Sequence, residues 1–214
     1  MNGYYPIVLQ LRGKRCVIIG GGGIAQRKLL GLLEAGADDV LLVSPSVTAQ
    51  IERLAAEGKF RLERREYKEE DAKEAWLIFA ATNDKRVNAA VAADGERFGV
   101  LVNAADEPDN STFISPSVVR RGDLLLAVTV SGASPALSQQ IKQELEAQYG
   151  PRYEEIAARL RRLRDRTLDM ILDEQERRAV LKLAAEDAVQ FNRNNFDTDE
   201  WLQSLYHRID RRHS

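Results

Sequence analysis

The hydrophobic positions of the first hundred residues alternate between two periods. Continuous apolar runs, short enough to be strands buried on both faces, occupy residues 16–20, 40–43, 76–81 and 100–105. Between them, apolar residues follow the spacing of one helix face, as in Ala25, Leu29, Leu32 and Leu33. Further helices are expected over 46–57 and 87–98, and the alternating segment 60–66 predicts a strand nearer an edge. Strands that alternate with helices predict an α/β fold with a parallel sheet.

The pattern changes after about residue 106. Two apolar runs with no helix between them flank Arg121-Gly122-Asp123, which predicts a β-hairpin, and the chain is helical in character from Pro135 onward. We therefore expect an α/β domain over 1–113, a hairpin-and-helix region over 114–149 and a helical domain over 150–214.

Charge and cysteine content exclude several functional classes. The 214 residues carry a formal net charge of −2, so no overall basic field favours nucleic acid. Cys16 is the only cysteine and lies in an apolar run, which indicates a small buried side chain and excludes a disulfide within the chain. Neither a signal-peptide pattern nor a bilayer-length apolar run is found. These features predict a cytoplasmic protein that binds neither nucleic acid nor membrane.

Four consecutive glycines separate the first predicted strand from the first helix. Together with the two residues after them they fit the pattern G-x-G-x-x-A, formed by Gly20, Gly21, Gly22, Gly23, Ile24 and Ala25. In this strand–turn–helix context, Gly20 would make the tight turn, Gly22 would admit a diphosphate to the backbone, and Ala25 would let helix and strand pack closely. The helix N-terminus would then attract the phosphates, with Arg27 and Lys28 nearby. The pattern predicts a dinucleotide cofactor.

The acidic residue that usually ends the second strand of such a site is absent. Asp38 and Asp39 precede that strand, and the strand is followed by Ser44. Ser44 could hydrogen-bond a ribose hydroxyl, and no Lys or Arg follows directly to hold a 2′-phosphate. We therefore expect NAD rather than NADP.

Polar residues also follow the other strands, where ligands bind in open parallel sheets. Thr82 and Asn83 are expected to line the nicotinamide ribose. Asn83 could equally be only a helix N-cap, and the two roles can coexist. After the last strand come Asn103 and Asp106. Asp106 is either an ionisable group at the substrate side of the cofactor or a turn-forming residue.

The sequence resembles precorrin-2 dehydrogenase, the NAD-binding part of siroheme synthase. The stretches that carry the resemblance are YPIVLQLRGKRCVIIGGGGIAQRKLLGLLEAGA, LIFAATNDKRVN, VNAAD and STFISPSVVRRGDLLLAVTVSGASPALSQQIKQELE. They occur in the family's order and cover roughly residues 5–148. The resemblance implies a Rossmann-type doubly wound parallel sheet, a β-hairpin/helix region through which two copies dimerise, and a C-terminal helical domain.

The resemblance also implies an activity. Family members dehydrogenate precorrin-2 to sirohydrochlorin with NAD, and some also insert ferrous iron into the product. The family's key aspartate corresponds to Asp106, which would act as a base and would help to hold the metal in a chelatase. The fused methyltransferase domain of some siroheme synthases is not expected here. One alternative for this chain is a bifunctional enzyme that also inserts ferrous iron into sirohydrochlorin. A second, from a different class of function, is a non-catalytic NAD(H)-sensing module.

A substrate with eight carboxylates requires local cations. Arg120 and Arg121 at the hairpin turn are candidates, and Asn103, Ser117, Ser131 and Ser134 are expected to contact substrate. Ser134-Pro135 has the pattern of an N-cap and first helical residue. A basic run follows at Arg152, Arg159, Arg161, Arg162, Arg164 and Arg166, for most of which a solvated helix face is the simpler interpretation. The histidines, His207 and His213, form no visible metal motif.

Overall fold

Five parallel strands form the sheet of the first part of the chain. The protein is described by a computed structural model that covers residues 3–105, 108–190 and 197–213. Its first elements are β1 (Arg15–Ile19), α1 (Gly23–Glu34), β2 (Asp39–Val43), α2 (Ala49–Ala56), β3 (Arg61–Glu63), α3 (Glu69–Lys73), β4 (Leu77–Ala80), α4 (Lys85–Phe98) and β5 (Leu101–Ala104). A single 3₁₀ turn follows at Pro108–Asn110.

The strand order explains where a ligand can enter. The sheet runs β3-β2-β1-β4-β5, with every neighbouring pair parallel. Ile18 at the centre of the sheet is aligned with Leu42 on one side and Phe79 on the other. The order reverses at β1, so the loops after β1 and β4 diverge to opposite faces and leave a crevice at the carboxyl ends. The predicted Rossmann-type fold is confirmed.

Hydrophobic side chains cover both faces of this sheet. Cys16, Ile18 and Leu42 belong to one core cluster with α1 and α2, whereas Val17 and Ile19 belong to another with α3 and α4. Alternate residues of each strand therefore enter opposite cores, as expected for a sheet with helices on both faces. Burial raises the pKa of the Cys16 thiol to about 11, with smaller contributions from Asp39 and Asp38, so the thiol stays protonated at neutral pH.

The third strand is shorter than the sequence pattern predicted. It ends at Glu63 instead of residue 66, because the chain leaves the sheet where Arg65 turns to bind Asp71. The five-residue helix α3 that follows was not predicted at all. Its N-terminus is closed by Asp71, whose carboxylate accepts a hydrogen bond from the Lys68 backbone N–H at 2.9 Å. A helix this short and this charged has no readable apolar period.

The chain divides into two compact units between Ser115 and Pro116. The second unit contains β6 (Ser117–Arg121), β7 (Leu124–Val128), α5 (Pro135–Gln148), α6 (Arg152–Met170), α7 (Glu174–Gln190) and α8 (Thr198–His213). β6 and β7 form the predicted antiparallel hairpin, with Gly122 at a positive φ of 55° in its two-residue turn. A further border near residue 150 stays a prediction.

The second unit has its own hydrophobic core. Leu163, Val180 and Leu205 are fully buried among α6, α7 and α8. Thr167 is also fully buried, and its hydroxyl donates a hydrogen bond to the Leu163 carbonyl at 2.6 Å, which satisfies it within the helix. Among the helices that the structure describes, none is both long and apolar enough to cross a membrane.

Two glycines inside helices give a test of the sheet–helix packing. A Cβ on Gly95 of α4 would collide with a methyl group of Val102 on β5, whereas a Cβ on Gly31 of α1 would meet open space. We expect Gly95→Ala to destabilise the protein by about 1–3 kcal/mol through overpacking. Gly31→Ala should stabilise it by up to about 1 kcal/mol through helix propensity. Urea unfolding followed by circular dichroism measures both, and a stabilising Gly95→Ala would contradict the described contact.

Candidate functional site

A cleft of about 900 Å³ lies at the carboxyl ends of β1, β2 and β4. Its walls come from the segments that leave four strands: Gly20–Gly22, Ser44–Thr48, Arg65–Tyr67 and Ala81–Asp84, together with Arg86, Val87 and Ala90 of α4. Every one of these residues belongs to the first unit. The cleft falls within the range typical of small-molecule and cofactor sites.

In the turn after β1, close contacts leave no room for a side chain at two glycine positions. Gly20 has a positive φ of 121°, and a Cβ on it would collide with the Ala81 carbonyl. A Cβ on Gly21 would collide with the Ser46 carbonyl. The Gly20 N–H donates to the Val43 carbonyl at 2.9 Å. The turn is therefore fixed between the loops that follow β2 and β4, where no side chain would fit.

The next two glycines are open instead of packed. Gly22 is exposed in extended backbone, and neither it nor Gly23 would bring a Cβ within 4 Å of another atom. Gly22 is the N-cap of α1 but supplies no side-chain hydrogen bond, and the first turn contains no acidic residue. The first backbone N–H groups of α1 therefore have no side-chain cap, and with the helix dipole they suit an anion such as a diphosphate.

The last two residues of the motif serve packing. Ala25 is fully buried in the core with Ile18 of β1, and Ile24 is partly buried against the same core. Neither side chain lines the cleft, nor does Gly23. Close helix–strand packing is the role expected for Ala25, so any contribution of Ile24 and Ala25 to cofactor binding must come from their main chain.

Ser44, at the end of β2, lines the cleft but is almost completely buried. Its hydroxyl donates a hydrogen bond to the Ser46 carbonyl at 2.7 Å. The Ser44 hydroxyl hydrogen is thus already donated within the loop. Only the lone pairs of the Ser44 oxygen remain, and they can accept a hydrogen bond from a ribose hydroxyl. The proposed contact between Ser44 and the ribose stays a prediction, with Ser44 limited to the acceptor role.

At the end of β4 a buried asparagine holds the loop that lines the cleft. The Asn88 amide donates to the Thr82 carbonyl at 3.1 Å and accepts from the Thr82 N–H at 3.2 Å, and its Oδ1 lies 2.8 Å from the Thr82 hydroxyl. Asn88 is only 3% exposed. No sequence pattern predicts this role, because the position of Asn88 inside an amphipathic helix gives no sign of a partner in a loop.

The alternative role for Asn83, as an N-cap, is wrong. Asp84 caps α4, accepting a hydrogen bond from the Arg86 N–H at 2.8 Å. Asn83 is exposed and lines the cleft beside Thr82. Contact of Thr82 and Asn83 with the cofactor stays a prediction.

Asn103 of β5 holds the segment that follows its strand. Its amide donates to the Phe113 carbonyl at 2.9 Å, and it is 9% exposed. The Val102 N–H donates a hydrogen bond to the Thr112 hydroxyl at 2.8 Å, so the segment that follows β5 folds back along this strand. Contact of Asn103 with substrate stays a prediction. Asp106, the predicted catalytic residue and conditional metal ligand, lies outside the described residues.

The other predicted substrate residues belong to the second unit. Ser117 begins β6, and Arg120 is exposed on the same strand. Ser131 is exposed with a φ of 54°, rare for a non-glycine residue. Ser134 caps α5 as expected, accepting a hydrogen bond from the Leu137 N–H at 3.2 Å, with Pro135 as the first helical residue. Contact of these four residues with substrate stays a prediction.

Some arginines of the basic run are engaged in ion pairs on the surface. Arg161 contacts Asp123 at 2.5 Å and Arg166 contacts Asp199 at 2.7 Å. In the described part of the chain, Arg120, Arg162 and Arg164 form no ion pair. Within the same ranges no cluster of three His, Cys, Asp or Glu side chains could hold a metal ion.

Lys28 points away from the predicted phosphate site. Its ammonium donates to the Ser115 hydroxyl at 2.8 Å and lies 5.0 Å from the centre of the Phe79 ring. Burial lowers the pKa of Lys28 to about 8, and the neighbouring Arg27 charge adds to this. The sequence predicts Lys28 near the phosphates, but α1 directs its side chain toward Phe79 of β4.

The glycine turn generates the first test of the site. In Gly22→Asp the new side chain has room and can cap α1, so the thermal midpoint should be unchanged or raised. The carboxylate would face the diphosphate, and like charges in contact cost several kcal/mol. We expect the dissociation constant for NAD to rise by about 100-fold or more, since tenfold is about 1.4 kcal/mol.

Isothermal titration measures that change, and Gly31→Asp is the control because it adds the same charge farther along α1 in open space. Unchanged NAD affinity in Gly22→Asp, or an equal loss in Gly31→Asp, would contradict the assignment of the α1 N-terminus.

Lys28 generates a test of pH dependence. Its pKa is about 8 in the folded chain against 10.5 for an ordinary lysine, so between these values the unfolded chain binds more protons. The contribution of Lys28 to the free energy of unfolding therefore rises with pH from about 8 to 10.5 and is level below 8. Urea unfolding of wild type and Lys28→Met across that range should show a pH-dependent difference. A constant difference would refute the burial of the charge.

Similarity to known proteins agrees with this geometry. A siroheme synthase from Methylococcus capsulatus is 41% identical over 82% of this chain, and one from Nitrosococcus oceani is 35% identical over 82%. The chain spans only 37% of the length of either relative. The solved structure of SirC, a precorrin-2 dehydrogenase, matches with a TM-score of 0.77 and 29% identity, covering 95% of this chain and 100% of that one.

A family model also matches the first unit. The model described as Putative NAD(P)-binding aligns with residues 7–117, more than half of the chain. The matched range contains the glycine turn and every residue that lines the cleft. The expected dinucleotide cofactor is confirmed, and so is the resemblance to the NAD-binding part of siroheme synthase. The chain belongs to this NAD(P)-binding family.

Proposed function

We propose that the protein oxidises precorrin-2 to sirohydrochlorin with NAD as the acceptor. The observation that carries the proposal is the uncapped N-terminus of α1, open to a cleft at the point where the strand order reverses. The likeness to SirC extends over the full length of that precorrin-2 dehydrogenase, and the likeness to siroheme synthases indicates the same pathway.

Each wall of the cleft has a separate task in this reaction. The main-chain amides at Gly22 and Gly23 bind the diphosphate, and Ser44 accepts a hydrogen bond at the adenosine end. Thr82 and Asn83, after β4, orient the nicotinamide ribose, and Asn88 keeps their loop in place. NAD, when bound, supplies the hydride acceptor. Fixing the two reactants in line can contribute about 7–11 kcal/mol of the barrier.

Removal of two hydrogens from the substrate releases one hydride and one proton. The proton requires an acceptor within hydrogen-bond reach, and we assign this role to Asp106. Support comes from its place in the chain. It directly follows Ala105, whose N–H donates to the Ala80 carbonyl at 2.8 Å at the carboxyl end of β4. β4 is also the strand whose loop carries Thr82 and Asn83.

The carboxylates of the substrate require cations that are not already paired. Arg120, Arg162 and Arg164 meet this condition within the described residues. We propose that they bind carboxylates of the substrate, and that Ser117, Ser131, Ser134 and Asn103 each contact the substrate as well. Arg161 and Arg166 are less suited, because each already holds an aspartate.

We propose further that the protein acts as a cytoplasmic homodimer. A two-stranded sheet is only marginally stable by itself, and Val118 of β6 is 37% exposed. A second copy packed against the hairpin would support this small sheet and could cover the Val118 side chain. The cytoplasm supplies the NAD that the proposed reaction consumes.

The proposed function is tested under anaerobic conditions with purified protein, NAD and precorrin-2. We expect NADH and sirohydrochlorin to form together, in equal amounts, as followed by their absorbance. In Asp106→Ala, turnover should fall by about 100-fold to 10,000-fold, the range for loss of a general base, while NAD affinity is unchanged.

Asp109→Ala is the matched control, since Asp109 is an exposed acid in the same connection. It should keep full turnover. Full turnover in Asp106→Ala would remove Asp106 from the mechanism. NAD binding without either product in the wild type would favour a nucleotide sensor.

A further inference from the structure

One cation lines the cleft at the ends of β2 and β3. Arg65 belongs to the wall formed by residues 65–67, and this wall adjoins the loop after β2 because the Ser44 N–H donates to the Glu63 carbonyl at 3.1 Å. In doubly wound folds the adenosine ribose lies beyond the second strand, where an arginine accommodates a 2′-phosphate in NADP-dependent proteins. By position and type, Arg65 is the residue that would take this role.

Arg65 is already occupied by the protein. Its Nε donates to Glu63 at 2.7 Å, its Nη1 to Asp71 at 2.7 Å and to the Glu66 carbonyl at 3.0 Å, and its Nη2 to Asp71 at 2.6 Å. The same Nη2 lies 2.6 Å from the Glu63 carboxylate. A guanidinium has five N–H donors, so at most one remains for a ligand.

The charges around Arg65 also oppose a phosphate. Glu63 and Asp71 both contact the single guanidinium, and the exposed Glu66 lines the cleft beside it. Although burial works against ionisation of Asp71, hydrogen bonds from Arg65 and from the Lys68 N–H hold its pKa below the usual range. Glu63, Arg65 and Asp71 thus carry two negative charges against one positive charge, although Arg61, which does not line the cleft, also contacts Glu63 at 2.9 Å.

We propose that this clamp of Glu63, Arg65 and Asp71 excludes dinucleotides with a 2′-phosphate and so selects NAD over NADP. The proposal rests on the cleft being the nucleotide site. A 2′-hydroxyl meets no comparable repulsion and needs only an acceptor such as the Ser44 oxygen. Arg65 is thus a specificity-determining residue through its engagement with two carboxylates, and not through a contact with the cofactor.

The two carboxylates differ in how firmly the fold fixes them. Asp71 is 5% exposed and caps α3, so its removal would disturb that helix. The Glu63 side chain is 32% exposed and has no role in a helix terminus. Glu63 is therefore the half of the clamp that can be removed with least damage.

The test measures binding of NADP and NAD to the whole protein by isothermal titration. In Glu63→Ala, Arg65 gains free donors and loses one opposing charge. Arg61 also loses its contact with Glu63 at 2.9 Å, but it does not line the cleft. The dissociation constant for NADP should therefore fall at least about tenfold, while that for NAD changes less than about twofold. The double variant Glu63→Ala, Arg65→Ala should lose this increase in NADP affinity. Glu63→Gln, which keeps the side-chain volume, should show part of it if Glu63→Ala folds poorly.

Glu52→Ala is the matched control, because it removes an equal charge from a partly exposed ion pair with Arg64 and leaves Arg65 untouched. It should change neither affinity. Equal affinity of the wild type for NADP and NAD would overturn the proposal. A gain in NADP affinity that persists in the double variant without Arg65 would also overturn it, and so would an equal gain in Glu52→Ala. Failure of the wild type to bind either nucleotide would overturn the nucleotide site itself, which separates the two results.

Discussion

The turn from β1 into α1 passes between two loops with no space for a side chain. Gly20 lies against the Ala81 carbonyl after β4, and Gly21 lies against the Ser46 carbonyl after β2. Because both residues are glycines, the backbone reaches the crevice at the switch point and α1 starts there with its amides uncovered. The positions of Ser44 and Thr82 on either side of the cleft follow from this close approach.

In the cleft that we assign to the nucleotide, main-chain dipoles are better placed to attract a diphosphate than the charged side chains. Lys28 is turned toward Ser115, Arg65 is occupied by two carboxylates, and Arg86 is paired with Asp84 at 3.1 Å. The α1 N-terminus is therefore the principal attraction for a diphosphate in the described residues that line the cleft. Such an arrangement would let a protein with a net charge of −2 bind an anionic dinucleotide.

Local sequence patterns were sufficient where a short segment determines its own structure. The buried strands, the glycine turn, the hairpin at Gly122 and the cap at Ser134 were all visible as patterns. The patterns were insufficient where a contact with a residue distant in the sequence determines the local structure. Helix α3 exists because Asp71 closes it and binds Arg65, and the loop at Thr82 is held by Asn88 from inside a helix. No local period records such contacts.

The most direct measurement is a spectrum of the backbone amides of the glycine turn. In protein labelled with ¹⁵N only at its 14 glycines, each amide can be assigned by single substitution and followed as NAD is added. The signals of Gly22 and Gly23 should shift most, and that of Gly132 in the second unit should remain in place. Shifts confined to other glycines, with Gly22 and Gly23 unmoved at saturating NAD, would contradict the proposed site.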